Sequence, residues 1–228
     1  MRVIVVGCGG IGSQLIPPLL RWINSRSETP NQDTPIIFVD GDKYDEGNAN
    51  RQEFVYTQIG MNKAEAQCKR YEKIYPDLNI SAVEEYIGDE NIGEIIKDGD
   101  IVLLGVDNHV ARLKISKHCQ QLNDVLYLSG SNELTDGSVF LYHKTIQPEP
   151  IEVRHPEVAT TDDGDRAAMS CEELAKLPSG GQVIFTNLTA ACIMLQMLYG
   201  WCEITSKDFK NKEVYFDIAQ QATRGVAK

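Results

Sequence analysis

The chain has 228 residues, 42% hydrophobic and 24% charged, which is ordinary for a globular protein and enough to bury a sizeable core. Its formal net charge of −11 argues against a partner recognised through a phosphate backbone, because nucleic-acid binders concentrate positive charge. The six cysteines form no Cys-x-x-Cys pair, so a zinc site of the usual spacing is excluded.

No apolar run is read as approaching the roughly 20 residues of a membrane span. Residues 1–6 open directly as a strand, with no charged region and apolar signal core ahead of them. A cytoplasmic protein with reduced thiols is therefore expected.

In chain order, residues 2–12 (RVIVVGCGGIG) give a Val/Ile-rich buried strand followed by Gly7-x-Gly9-x-x-Gly12. Such glycines permit a tight turn, close approach of the backbone to a phosphate, and close packing of the next helix. That helix places Ile11, Leu15, Leu19, Trp22 and Ile23 on its packed side, with Pro17-Pro18 expected near its first turns. A polar loop near Ser25–Pro35 leads to a second strand, Ile36–Val39, which delivers Asp40 and Asp42 to the sheet edge. Asp40 stands where a ribose hydroxyl would be reached, although the glycine loop alone does not say which nucleotide is bound. The loop beyond it carries Asn48, Asn50, Arg51 and Gln52, and Lys63 opens the next helix.

Residues 62–75 form a helix whose packed face holds Ala64, Cys68, Tyr71 and Tyr75. A strand at Leu78–Val83, a short helix at Asn91–Lys97 and a strand at Asp100–Val106 follow, the last ending in Asp107-Asn108. A helix to about Leu122 packs Ala111, Ile115, Cys119 and Leu122 and leads to a strand at Val125–Leu128. Alternating strands and helices imply a doubly wound parallel sheet, with its ligand crevice beyond the carboxyl ends of the strands.

The second half changes character. Gly137–Thr145 reads as an antiparallel return strand, and residues 147–182 as a long polar loop containing His155 and Cys171. Gln182–Cys202 reads as an apolar helix packed through Ile184, Leu188, Ala191, Leu195 and Leu198, with Cys192 and Cys202 in the same pattern. Glu213–Ile218 is a last strand and Ala219–Lys228 a loose tail. The whole is expected to be α/β: a Rossmann-like doubly wound sheet, parallel in the N-terminal half, with antiparallel strands added in the C-terminal half. It is taken as one domain over 1–228, with a nucleotide-binding half at 1–130 and the antiparallel strands, crossover-like loop and C-terminal helix at 131–228.

Gly7-x-Gly9-Gly10-Ile11-Gly12, then Asp40-x-Asp42, Asn48-x-x-Arg51-Gln52, Lys63 and Asp107-Asn108 resemble the adenylation core of the ThiF/MoeB and ubiquitin-activating enzyme family. The resemblance runs in order over about residues 3–130. It implies ATP-dependent adenylation of the C-terminal glycine carboxylate of a small ubiquitin-like or sulfur-carrier protein, by a homodimer. On that resemblance the amides of Gly9–Gly12 would lie under the nucleotide and Asp40 would take the ribose. Asn48, Arg51 and Lys63 would hold the triphosphate and offset charge as pyrophosphate leaves. Asp107 would bind Mg²⁺, a hard cation suited to carboxylate and phosphate oxygens. Asp42, Gln52 and Asn108 complete the expected cofactor-binding set, and Arg112 is open between a phosphate ligand and a packing residue.

The resemblance has departures. Some relatives place an arginine ahead of the first strand to reach a partner's triphosphate, and with the sequence opening at the strand that residue is expected to have no match. The zinc-binding cysteine pairs of many relatives are missing, and no ubiquitin-fold or rhodanese domain is expected after the core. The chain is thus expected to be a compact version, like stand-alone members encoded in bacterial and phage operons. Many relatives pass the acyl group to a cysteine, for which Cys171 is the candidate. Two alternatives remain: a catalytically weak scaffold binding nucleotide or a ubiquitin-like protein, and an NAD(P)-dependent oxidoreductase, which leaves Asn48–Arg51 and Lys63 without a role.

Overall fold

The computed structural model describes residues 1–26, 34–160, 183–204 and 211–227. Its first half alternates β1 (Val3–Val6), α1 (Gly10–Ser25), β2 (Ile36–Val39), α2 (Lys63–Ile74), β3 (Ile80–Val83), α3 (Ile92–Ile95), β4 (Ile101–Leu104), α4 (His109–Gln121) and β5 (Leu126–Asn132). The second half adds β6 (Asp136–Tyr142), one-turn helices α5 (Ile151–Arg154) and α6 (Glu157–Thr160), α7 (Ile184–Glu203), β7 (Asn211–Asp217) and β8 (Ala222–Ala227).

All strands join one sheet in the order β3-β2-β1-β4-β5-β6-β7-β8. From β3 to β5 every pairing is parallel, and from β5 to β8 every pairing is antiparallel. Both faces of the parallel part are covered, which explains why β1 and β4 are continuous apolar runs rather than alternating ones. Val3 and Val5 face α1, α2 and α7, packing with Leu15, Leu19, Cys68, Tyr71 and Met194. Ile4 and Val6 face the other way, against Ile92, Ile96, Ile115, Cys119 and Val158. The order reverses between β1 and β4, so the turns after these two strands diverge and open a crevice at their carboxyl ends.

Several expectations from the sequence are corrected. Residues 219–228 are not a loose tail: Ala222–Ala227 pair along β7, Phe216 against Thr223 and Tyr215 against Arg224. Nor are residues 147–160 loop throughout, since α5 and α6 pack on α4 there. Pro17 and Pro18 lie roughly two turns into α1, because the helix starts directly at Gly10. Both point to its less buried side, where the missing N–H groups disturb the core least.

On α7 the buried face is Thr186, Asn187, Ala190, Ala191, Met194, Met197 and Leu198, while Ile184, Leu188 and Cys192 are exposed. The helix is apolar all round, so hydrophobic periodicity carried no phase. It is also long and apolar enough, by length and composition, to cross a membrane. That corrects the expectation of no such run, although half of its most apolar window is buried, with contacts to α1, β5 and β6.

Candidate active site

The glycine turn after β1 is shaped by contacts that only glycine allows. Gly7 has φ +86°, a left-handed conformation, and a Cβ on Gly12 would fall 1.8 Å from the Gly7 carbonyl oxygen. The Gly7 N–H donates to Val39 and the Gly105 N–H to Val6, so the turns after β1, β2 and β4 are laced together. Helix α1 starts immediately, and Ser13 is the first residue whose N–H reaches back, to the Gly9 carbonyl at 2.9 Å. The amides ahead of it have no partner within the helix, the arrangement by which a helix N-terminus can take an anion.

Asp40, at the end of β2, fixes this turn from the side. One carboxylate oxygen accepts the Cys8 N–H at 2.6 Å and the other accepts the Asp42 N–H at 2.8 Å. Burial holds the Asp40 carboxyl above its ordinary value, opposed by Lys63 and the two backbone N–H groups. The Asp40 carbonyl accepts the Asn62 amide at 2.7 Å, while the Asn62 oxygen caps α2 by accepting the Glu65 N–H. That cap places Lys63 at the first position of α2, where the helix N-terminus adds partial positive charge. Lys63 is nearly buried, and its Nζ lies 3.1 Å from Asp42.

The polar loop between β2 and α2 is held by its own turns. Two 3₁₀ helices, Glu46–Asn48 and Tyr56–Gln58, bracket it. Asn48 is fully buried; its oxygen accepts the Asp45 N–H, and its Nδ2 has no protein partner. Arg51 is half-buried and donates to the Gly47 carbonyl and the Asn50 side chain. Gln52 is buried; its Nε2 lies 3.7 Å from where a Cβ on Gly9 would sit, and its Oε1 has no partner. A hydrogen bond from the Glu53 N–H to Ser13 Oγ ties the loop to α1. Beyond β4, Asp107 is exposed, and Asn108 caps α4 by accepting the Ala111 N–H at 2.7 Å.

The structure thus brings Gly7, Gly9, Gly10, Gly12, Asp40, Asp42, Gln52 and Lys63 into one contact network, with Asn48, Arg51, Asp107 and Asn108 on the turns that border it. Arg112 is a packing residue: buried, it donates to Ser129 and to the Gly130 and Val106 carbonyls, binding the turn after β4 to β5. Arg2, the residue just before β1, pairs with Asp100 at the opposite end of the sheet. Cys171 lies outside the described residues. Burial pushes the Cys8 thiol far up and the Cys68 and Cys119 thiols to about 12, so none of these three supplies a thiolate near neutral pH.

Two residues escaped the sequence reading. Asn187 on α7 is fully buried with an unpartnered Oδ1, which lies 2.4 Å from where a Cβ on Gly10 would sit. A lone amide inside an apolar helix was its only signal. Tyr86, beyond β3, hydrogen-bonds Asp42 and had no sequence signal at all.

Among the described residues no group of three or more His, Cys, Asp or Glu side chains could enclose a metal. The exposed Asp107 nevertheless fits Mg²⁺, which keeps several waters and takes one or two carboxylates together with substrate phosphates.

Comparison with known proteins agrees with this fold. The chain is 33% identical over 146 residues to ubiquitin-like modifier-activating enzyme 5 of Culex quinquefasciatus, covering 58% of this chain and 34% of that protein. It is 28% identical over 178 residues to a probable molybdopterin-synthase adenylyltransferase of Porphyra purpurea, covering 77% and 44%. The chain therefore spans less than half the length of these relatives. A crystal structure of E. coli MccB with ATP superposes with a TM-score of 0.71 at 17% identity, covering 99% of this chain and 63% of that one, a likeness of fold. The ThiF family matches residues 1–225. With nearly its whole length matched, the chain belongs to the ThiF family.

Proposed function

We propose that this chain is an adenylyltransferase that activates the C-terminal glycine carboxylate of a small ubiquitin-like or sulfur-carrier protein with ATP and Mg²⁺. The observation that carries the reading is the convergence of the glycine turn, the Asp40 clamp and the Lys63–Asp42 pair at the mouth of one crevice. In the proposed reaction a carboxylate oxygen attacks the α-phosphorus, the bond to the β,γ-pyrophosphate breaks, and pyrophosphate leaves. The nucleophile is already an anion, so no general base is required. Lys63 and Arg51 would offset charge on the phosphates, and the first amides of α1 would orient them. Asp107 would hold Mg²⁺, which neutralises phosphate charge when bound.

Transfer from AMP to Cys171 is the proposed second step, in which the thiolate sulfur bonds to the acyl carbon and AMP departs. A homodimer is proposed as the working form. The exposed Ile184, Phe185, Leu188 and Tyr199 of α7 offer an apolar face for a second copy. Membership of the family supports the adenylation reading over an oxidoreductase.

The test is ATP–pyrophosphate exchange with a glycine-ended carrier. Asp107→Ala and Arg51→Ala should each abolish exchange while leaving the fold intact. Undiminished exchange in both removes the mechanism, and nucleotide binding without any exchange favours the scaffold alternative. Cys171→Ala should keep exchange but lose a thiol-labile enzyme–carrier adduct. Light scattering at several concentrations tests the dimer.

A further inference from the structure

Tyr86 is 67% exposed, unusual for an aromatic side chain tied into its surroundings. Its hydroxyl donates to Asp42 Oδ1, while Asp42 Oδ2 receives Lys63 Nζ. Its ring lies against Gly41: a Cβ there would sit 2.6 Å from both Cγ and Cδ2 and 2.7 Å from Cε2. Near-equal distances to three consecutive ring atoms mean that Gly41 packs under the face of the ring rather than its edge. The ring is therefore pinned at two places, with one face covered and solvent reaching the rest. It belongs to the turn after β3 but reaches back over the end of β2, beside Asp40 and Asp42. The hydrogen bond to Asp42 holds its phenol well above the ordinary value, with burial and the charges of Asp42, Asp40 and Asp107 adding to the effect.

We propose that the open face of Tyr86 is a stacking platform for the base of the nucleoside triphosphate bound at this crevice. The inference rests on the adenylation reading and adds the residue that distinguishes a nucleotide from a bare polyphosphate. Stacking needs a flat face held still, and the Gly41 contact with the Asp42 hydrogen bond holds it before ligand arrives. Because every base has a π-face, the platform favours nucleotides over inorganic triphosphate without selecting strongly among bases. Gly41 is part of the device, since any side chain there would displace the ring.

The test is calorimetry with two probes, Mg²⁺·ATP and Mg²⁺·tripolyphosphate, on the wild-type chain, Tyr86→Phe and Tyr86→Ala. Tyr86→Ala should weaken ATP about tenfold, a usual loss for one base–aromatic stack, and leave tripolyphosphate unchanged. Tyr86→Phe keeps the ring and should retain most of the ATP affinity. Unchanged ATP affinity in Tyr86→Ala overturns the proposal. So does an equal loss for both probes, which would mean that Tyr86 acts only by positioning Asp42 and Lys63. A wild-type chain that binds neither probe sinks the adenylation reading itself, a result separable from both. Tyr86 is largely exposed, so Tyr86→Ala should stay folded, which its melting curve checks.

Discussion

Lys63 Nζ stands 3.1 Å from Asp42 Oδ2, a pair whose lysine is 5% exposed and whose aspartate is 48% exposed. The asymmetry matters for function. A nearly buried cation fixed at the first position of α2 keeps its place without ligand, and its acid partner lies on the solvent side, where an incoming anion can share it. The same aspartate takes the Tyr86 hydroxyl, so three elements meet at one carboxylate.

Asp42 gives the first prediction. Burial works to raise its carboxyl, but Lys63 and the Tyr86 hydrogen bond outweigh burial, and it titrates below 3.8. A depressed folded value means that Asp42 contributes stability above about pH 3.8, lost as pH falls through the folded value. Half-exposure screens the pair, so the contribution is about 0.5 kcal/mol. Urea unfolding should show Asp42→Asn less stable than wild type at pH 7 and the gap smaller at a pH below its folded value. A gap equal at both values would place the effect elsewhere.

Lys63→Met separates binding from stability. It leaves Asp42 half in solvent, able to rehydrate, and the more buried Asp40 without its cation but still held by the Cys8 and Asp42 N–H groups, so unfolding free energy should fall by no more than about 2 kcal/mol. Affinity for Mg²⁺·ATP should fall at least about tenfold, as expected for one charge-assisted phosphate contact. Calorimetry reads this directly, and affinity within twofold of wild type would take Lys63 out of the site.

His155 on the connection between α5 and α6 contacts Glu213 of β7, which also receives Arg154. The Glu213 hydrogen bond raises the imidazole above 6.5, against burial; burial opposes but does not prevent the lowering of Glu213 below 4.5 by His155 and Arg154. The raised histidine contributes stability fully below about pH 6.5, lost as pH rises through its folded value. The depressed glutamate contributes above about pH 4.5, lost as pH falls through its own. Between those limits both contributions are present. Amide exchange of residues 151–160, corrected for intrinsic rates, should be slowest there and quicken on the alkaline side. Glu149, Glu157 and Tyr215 also face this cluster, so His155→Gln is the control and should flatten the alkaline limb. A limb unchanged in that variant would assign the pH response to another group.

What was legible in the sequence follows from how local its cause is. The β1 turn and the β2 end could be read because strand, glycine spacing and terminal acid lie within a few residues of one another. The strand Ala222–Ala227 could not: its residues are mostly exposed and lack alternation, and it is a strand because β7 offers hydrogen bonds. The buried face of α7 was misjudged because an all-round apolar helix takes its phase from its neighbours. Tyr86 and Asn187 were invisible for the same reason, since each acquires its place from a residue remote in sequence, Asp42 or Gly10. The roles of Asp40 and Asn62 as clamps emerge only once the turns are closed against one another.

The Gly10–Asn187 contact makes the last prediction. It joins the first residue of α1 to the buried side of α7, two helices that pack together on one sheet face. A Cβ at Gly10 would meet Asn187 at 2.4 Å from Oδ1 and 2.8 Å from Cγ. The amide has no free space to retreat, because it is fully buried and its Nδ2 donates to the Val183 carbonyl. Gly10→Ala should therefore destabilise by about 2 kcal/mol, the scale of an overpacked core position. Asn187→Ala should lose about 1 kcal/mol through its hydrogen bond and packing. Removing the amide makes room for the added methyl, so the double variant should be less damaged than the sum by about 1 kcal/mol or more. Urea unfolding of the four proteins completes the cycle. Strict additivity would mean that the two helices do not meet at this point, and the amides at the start of α1 would then owe their placement to the Asp40 clamp alone.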